Sequence, residues 1–226
     1  MNKPPSASDW YKETSDVQYH SKVFSGDPFV QQVLARNRAN KLQPLLRDAD
    51  SVLEFGVGTG LDLWKLRCRR RVGYDPSQFG KQACEQAGIQ FVHDLEQLQG
   101  EKFSAVICHH VLEHVPSPLD SLRAMAELLQ PGGRLILVVP YEYGRSFNRY
   151  RPDEINRHLY TWNPLTLGNL LDEAGFRPES VTTAPTGYEQ RLAPLAKAGY
   201  PVYRLSLFLL RLMLPLKEVV AVSRLK

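Results

Sequence analysis

Short, uninterrupted apolar runs alternate with segments of helical period over most of the chain. "SVLEF", "RRVGYD", "IQFVH", "FSAVICHH" and "GRLILVVP" read as five strands in succession. Between them lie helical patterns: "GLDLWKLRC", "PSQFGKQACEQAG" closed by Gly88, and a segment from Ser117-Pro118 through Leu129. Runs apolar on both faces need cover on both sides, which predicts an α/β fold with a mostly parallel sheet between helical layers. Ahead of the sheet, Asp27-Pro28 reads as an N-cap and first helical residue, with Phe29, Val30, Val33 and Leu34 at helical spacing. Pro44 is expected to end that helix near Leu42.

After the fifth strand comes a polar, aromatic-rich stretch, and Asn163-Pro164 then opens a helix over "LTLGNLLDEAG". "FRPESVTTA" and "KEVVAVSRL" read as strands six and seven. Residues 188–216 between them exceed a short hairpin and form an insertion with its own helical content. In "YPVYRLSLFLLRLMLPL", Arg204 and Arg211 share one helix face while leucines, Phe208 and Met213 cover most of the rest. Three placements of 200–216 stay open: against the sheet, against a second copy, or as a peripheral contact with a membrane surface.

Composition narrows the class. The 226 residues, 43% apolar and 23% charged, suit one globular domain. A net charge of +4 without dense Lys/Arg stripes argues against nucleic acid as a partner. Cys68, Cys84 and Cys108 form no CxxC pair, which fits a reducing compartment and neither a disulfide framework nor a zinc site. "MNKPPSASDW" lacks the apolar core of a signal peptide, and Arg211 and Pro215 interrupt the greasiest region, so a cytoplasmic chain is expected, as monomer or homodimer.

The chemistry concentrates around "EFGVGTG". It follows the first strand, where α/β sheets bind ligands. A dinucleotide loop would place its third glycine at position 61, where Leu61 stands, which weakens a nicotinamide-dependent oxidoreductase reading. Carboxylates flank the loop: Glu54 before it, Asp75 after strand two and Asp94 after strand three. A carboxylate after strand two accepts from ribose hydroxyls, so this set suits a nucleoside without a diphosphate. A ligand-free tight turn is the alternative for the glycines, and N-capping of a helix near Pro76 the alternative for Asp75.

With these residues in place, the chain resembles the class I S-adenosylmethionine-dependent methyltransferases over residues 50–183 and the final strand. "VLEFGVGTG", "VGYDPS", "FVHDLEQL", "CHHVLEHVPSPLDSLRAMAELLQPGGRLILVVP" and "HLYTWNPLTLGNLLDEAGF" occur in that family's order and spacing. The resemblance implies a three-layer α/β/α Rossmann-like fold, its seven strands ordered 3-2-1-4-5-7-6 with the last antiparallel. It implies S-adenosylmethionine as cofactor and S-adenosylhomocysteine as product. Gly56, Val57, Gly58 and Gly60 would approach the methionine part, with Glu54 near its ammonium. Asp75, with Pro76 beside it, would hold the ribose, Asp94 and Leu95 the adenine, and His109 and His110 would border the sulfonium.

For the acceptor, residues 141–162 combine aromatic rings with arginines, types that suit aryl groups, sugars or anions. Tyr141, Tyr143, Arg145, Arg149 and Tyr160 are the candidate contacts, with Tyr19 from the N-terminal segment. His158 is the first candidate for removing a proton from a hydroxyl acceptor and His110 the second; for His158 a hydrogen bond to loop backbone is the competing role. His109, His110, Glu113 and His114 are candidate metal ligands, with His110 and His114 at helical i, i+4 spacing, but the connection resembles one the family carries without metal, so no metal is expected. Residues 1–47 are expected to form a helical lid on a domain spanning 48–226. The acceptor expectation is a small molecule or a saccharide-type metabolite, from a weak likeness of "HLYTWNPLTLGNLL" to bacterial enzymes of metabolite and polysaccharide pathways. A non-catalytic nucleoside-binding protein of the same fold is the second function class.

Overall fold

The computed structural model describes residues 26–143, 147, 149–151, 154 and 156–226. The proposed lid over 1–25, with Tyr19, and the acceptor candidate Arg145 lie outside these residues.

Helix α1 (Pro28–Leu46) precedes β1 (Ser51–Phe55), β2 (Arg70–Tyr74), α2 (Lys81–Gln86), β3 (Gln90–Val92) and β4 (Phe103–His109). Then follow α3 (Pro118–Glu127), β5 (Leu129–Tyr141), α4 (Pro164–Glu173), β6 (Phe176–Thr186), α5 (Glu189–Leu192), α6 (Tyr200–Met213) and β7 (Leu216–Leu225). The strands form one sheet in the order β3-β2-β1-β4-β5-β7-β6. β7 runs antiparallel between β5 and β6, while β1 to β5 are mutually parallel. This is the order that the family resemblance implies. One sheet face packs on α3 and α4 through Leu122, Met125, Leu167 and Leu171, and the other on α1 and α2 through Leu42, Leu46 and Cys84.

Three boundaries differ from the sequence reading. First, α1 continues through Pro44 to Leu46 instead of ending at Leu42. Leu42 and Leu46 are both buried against the sheet while Pro44 faces solvent. Burying two leucines is worth about 3–6 kcal/mol, enough to offset the roughly 3 kcal/mol that an interior proline costs. Second, "GLDLWKLRC" is not a helix but turns over residues 61–65. Side chains satisfy its backbone: Arg71 Nη1 donates to the Trp64 carbonyl at 2.7 Å, and the Arg67 amide donates to Gln43 Oε1 at 2.7 Å. With those groups paired, nothing requires further helical turns. Third, the helix expected from Pro76 begins only at Lys81, because residues 76–80 fold back on the glycine loop.

The insertion is anchored from inside. Tyr203 and Leu207 of α6 are buried against Val30, Val33 and Leu34 of α1, and the Tyr200 hydroxyl donates to Asn37 Oδ1 at 2.6 Å. The outer side leaves Leu205, Phe208, Leu212 and Met213 exposed. Among the described residues, no helix is long and apolar enough to cross a membrane.

Candidate active site

β1, β2 and β3 end in register, with Phe55 beside Tyr74 and Tyr74 beside Val92. The three carboxylates expected there are therefore brought to one edge of the sheet. The Gly56 and Val57 amides both donate to the Tyr74 carbonyl, at 2.7 and 3.0 Å, which turns the chain sharply over the strand ends. Asp75 clasps this turn, its Oδ2 accepting from the Gly58 amide at 2.8 Å and its Oδ1 from the Ser77 amide at 2.9 Å. Asp75 is thus not a helix N-cap, since the helix starts six residues later. The Val57 side chain packs on Gly73 rather than facing outward, and Pro76 is exposed beside Asp75. Asp94 Oδ1 accepts from the Glu96 amide at 3.0 Å, capping a 3-10 turn that seats Leu95 half-buried on the core.

Gly56 has φ +83°, and a Cβ there would stand 2.2 Å from Val111 Cγ2. Gly80, which the sequence reading passed over, is as constrained: a Cβ would lie 1.7 Å from the Gly58 carbonyl oxygen. Backbone cannot yield as a side-chain tip does, so Gly80→Ala is expected to destabilise the protein by about 2–3 kcal/mol, a melting temperature lower by roughly 4–12 °C. Scanning calorimetry checks it; an unchanged melt would show that 76–80 does not sit against the glycine loop.

Beneath the loop lies a buried charge cluster. Glu54 on β1 is 2% exposed, and its Oε2 has no hydrogen-bond partner. Burial first, then the charge of Asp62, raises its carboxyl well above the ordinary carboxylate range. Burial would raise Asp62 as well, but the hydrogen bond to the His109 ring at 2.6 Å and the charge of Arg38 hold that carboxyl low. Burial and the Arg38 charge keep His109 neutral. Lys41 pairs with buried Glu218 at 2.6 Å, and His110 Nε2 stands 3.6 Å from the other Glu218 oxygen. His110 carries φ +55°, a left-handed conformation uncommon outside glycine, held by its amide donating to the Val138 carbonyl at 2.8 Å.

Beyond the end of β5 lies a cavity of about 470 Å³ whose lining includes Glu142, Arg149, Arg157, His158 and Thr161. His158 Nδ1 lies 2.6 Å from Glu142 Oε1. Burial would lower the imidazole, but this hydrogen bond and the Glu113 and Glu142 charges outweigh it, leaving His158 above the usual histidine value. His158 is thus bound to a carboxylate, not to loop backbone. Of the other acceptor candidates, Arg149 lines the cavity. The Tyr143 hydroxyl donates to the Pro215 carbonyl at 2.7 Å and the Tyr160 hydroxyl to the Pro116 carbonyl at 2.9 Å, so both tie the loop down. The Tyr141 ring lies 5.3 Å from that of Tyr143, tilted by 43°.

The sequence reading missed Arg38, Lys41, Asp62, Gly80, Glu142 and Glu218. Glu218 alone left a signal, a charge at an inward position of an apolar strand; Arg38 and Lys41 look like the solvated face of any helix.

Comparisons with known proteins agree with this architecture. A family model described as a methyltransferase domain matches residues 27–181. The ubiquinone biosynthesis O-methyltransferase of Xanthomonas axonopodis pv. citri is 33% identical over 131 residues, 51% of this chain and 54% of that protein. The chain thus spans about half the length of the curated relatives it matches, or less. Among solved structures, the 1,6-didemethyltoxoflavin-N1-methyltransferase of Burkholderia thailandensis, with bound 1,6-didemethyltoxoflavin and S-adenosylhomocysteine, superimposes with a TM-score of 0.63 at 22% identity, covering 100% of this chain and 93% of the other. The magnesium protoporphyrin IX methyltransferase of Synechocystis, with bound S-adenosylmethionine, gives a TM-score of 0.59 at 19% identity over 99% and 100% of the two chains.

Proposed function

The chain belongs to the methyltransferase domain family, and from that membership we propose that it moves the methyl group of S-adenosylmethionine to an oxygen of a small-molecule acceptor held in the cavity beside His158. The observation that carries the cofactor reading is the buried Glu54 oxygen without a partner at the end of β1. An unpaired buried acceptor is costly, and an ammonium group satisfies it. Asp75 and Asp94 at the two neighbouring strand ends are acceptors for hydroxyl and amino groups, and the glycine loop offers no diphosphate cradle.

The cofactor supplies a methyl group already activated by a positive sulfur. The chain's own task is to hold the acceptor oxygen in line at about 3 Å and to keep water out. Gly56, Gly58 and Gly60 shape the donor side, with His109 ending β4 and His110 following it. His158, oriented by Glu142, takes the proton of a hydroxyl acceptor. Oxygen as the accepting atom is supported by the names of the Xanthomonas relatives, which are O-methyltransferases. Arg149 and Arg157 in the lining suit an acceptor that also carries an anionic group.

Glu54 gives the cofactor reading a pH signature. Its carboxyl is raised, so below that raised value the free protein holds it protonated, and an ammonium ligand expels the proton. Affinity for S-adenosylhomocysteine is therefore expected to rise with pH above the ordinary carboxylate range, with proton release visible as binding heats that differ between buffers of different ionisation enthalpy. Flat affinity and buffer-independent heats would remove Glu54 from the site. The acceptor class is tested by transfer of labelled methyl from S-adenosylmethionine to panels of phenols, other hydroxylated metabolites and saccharides. Labelling of phenols or small hydroxy acids is expected, and labelling of saccharides alone would replace the small-molecule reading with the sugar one.

A further inference from the structure

Glu113, in the turn over residues 112–114 of the β4–α3 connection, is fully buried, and neither carboxylate oxygen has a hydrogen-bond partner. Leaving such a group unpaired costs several kcal/mol unless a cation or donor meets it. Two imidazoles face it. One donor atom each from Glu113, His114 and His158 lies within 4.8 Å of the others, and His114 Nε2 is 3.8 Å from Glu113 Oε1. Each ring also has an outer partner: His158 Nδ1 meets Glu142 at 2.6 Å, and His114 is hydrogen-bonded to the backbone of Asn156. A histidine steadied by a carboxylate or carbonyl on one nitrogen, with the other turned to a shared centre, is the arrangement metal-binding imidazoles adopt.

We propose that Glu113, His114 and His158 form a binding site for one divalent transition-metal ion of the zinc class, at the His158 edge of the cavity. Two nitrogen donors and one carboxylate favour zinc, cobalt or nickel over magnesium or calcium, which prefer all-oxygen sets. Bonds of about 2.0–2.1 Å place tetrahedral donors roughly 3.3 Å apart, so separations within 4.8 Å close by about 1.5 Å or less on binding. The resemblance had implied a metal-free connection here; the orphaned Glu113 carboxylate argues otherwise. A second triad, His109, His110 and Glu218, has comparable spacing, but Lys41 already pairs with Glu218 at 2.6 Å and Asp62 with His109 at 2.6 Å.

Three protein ligands leave a coordination position for an oxygen. If the acceptor is the hydroxyl compound proposed above, its oxygen can take that position, and His158 then holds the ion rather than the proton; this last step rests on the acceptor reading, whereas metal binding does not. The test uses full-length protein stripped with chelator and titrated with Co²⁺, read by visible ligand-field absorption, then with Zn²⁺ as competitor. One equivalent of Co²⁺ displaced by Zn²⁺ is expected, with affinity lowered at least about 100-fold in Glu113→Gln and His158→Ala and retained in Glu218→Gln. Glu113→Gln removes a buried unpaired charge and should stay folded without metal, so it decides the matter if His158→Ala does not fold. No cobalt band, wild-type affinity in both ligand variants, or loss only in Glu218→Gln would overturn the proposal. S-adenosylhomocysteine binding in the same stripped samples is expected to persist, which separates failure of the metal site from failure of the cofactor reading.

Discussion

Asp75→Ala protein is expected to lose measurable binding of S-adenosylhomocysteine, its affinity falling by roughly 10²- to 10⁴-fold in calorimetric titration while the protein stays folded. Two effects add. Each Asp75 oxygen accepts one backbone amide, from Gly58 and Ser77, and a carboxylate oxygen accepts more than one hydrogen bond, so the same group can also receive ribose hydroxyls. Hydrogen bonds to a charged acceptor are worth about 1.5–3 kcal/mol apiece, so losing two gives the range above. Removing the carboxylate also frees the Gly58 turn that it clasps. Asp75→Asn retains one acceptor oxygen and is expected to fall between wild type and alanine. Equal affinity in all three proteins would mean that Asp75 only builds the turn.

His158→Ala is expected to lower kcat for a hydroxyl acceptor by about 10²- to 10³-fold in chelator-treated protein, with S-adenosylhomocysteine affinity unchanged, because proton transfer by a positioned base contributes on that order. Glu142 gives this role its pH dependence. Its hydrogen bond helps hold His158 above the ordinary histidine value, and only the deprotonated ring accepts a proton, so the rate rises with pH through that raised value. Glu142→Gln is expected to move this limb of the pH–rate profile to lower pH. A limb that stays in place would show that another group governs the rate.

The strands and their order of appearance were legible because parallel strands buried on both faces must be continuously apolar, and "FSAVICHH" and "GRLILVVP" are. The antiparallel insertion of β7 was not written in any local period; only the resemblance to a known family implied it. Helix ends went wrong where tertiary contacts outweighed local rules, as at Pro44, where Leu42 and Leu46 hold the turn, and at residues 61–65, where Arg71 and Gln43 satisfy the backbone in place of a helix.

The site divided in the same way. Glu54, Asp75 and Asp94 could be found because each follows or ends a strand, a position that sequence alone marks. Arg38, Lys41 and Glu142 could not, since they meet the site across long chain separations, 71 residues between Arg38 and His109. Gly80 was hidden for a related reason: its need to be glycine comes from the Gly58 carbonyl pressed against it and not from its own backbone angles.

The proposed function requires the glycine loop and its three carboxylates to hold a sulfonium nucleoside. Calorimetric titration of the folded wild-type protein with S-adenosylhomocysteine, run in parallel with NADH, tests this most directly. Saturable one-to-one binding of S-adenosylhomocysteine and none of NADH is the expected result. Absence of S-adenosylhomocysteine binding, or saturable binding of NADH in its place, would contradict it.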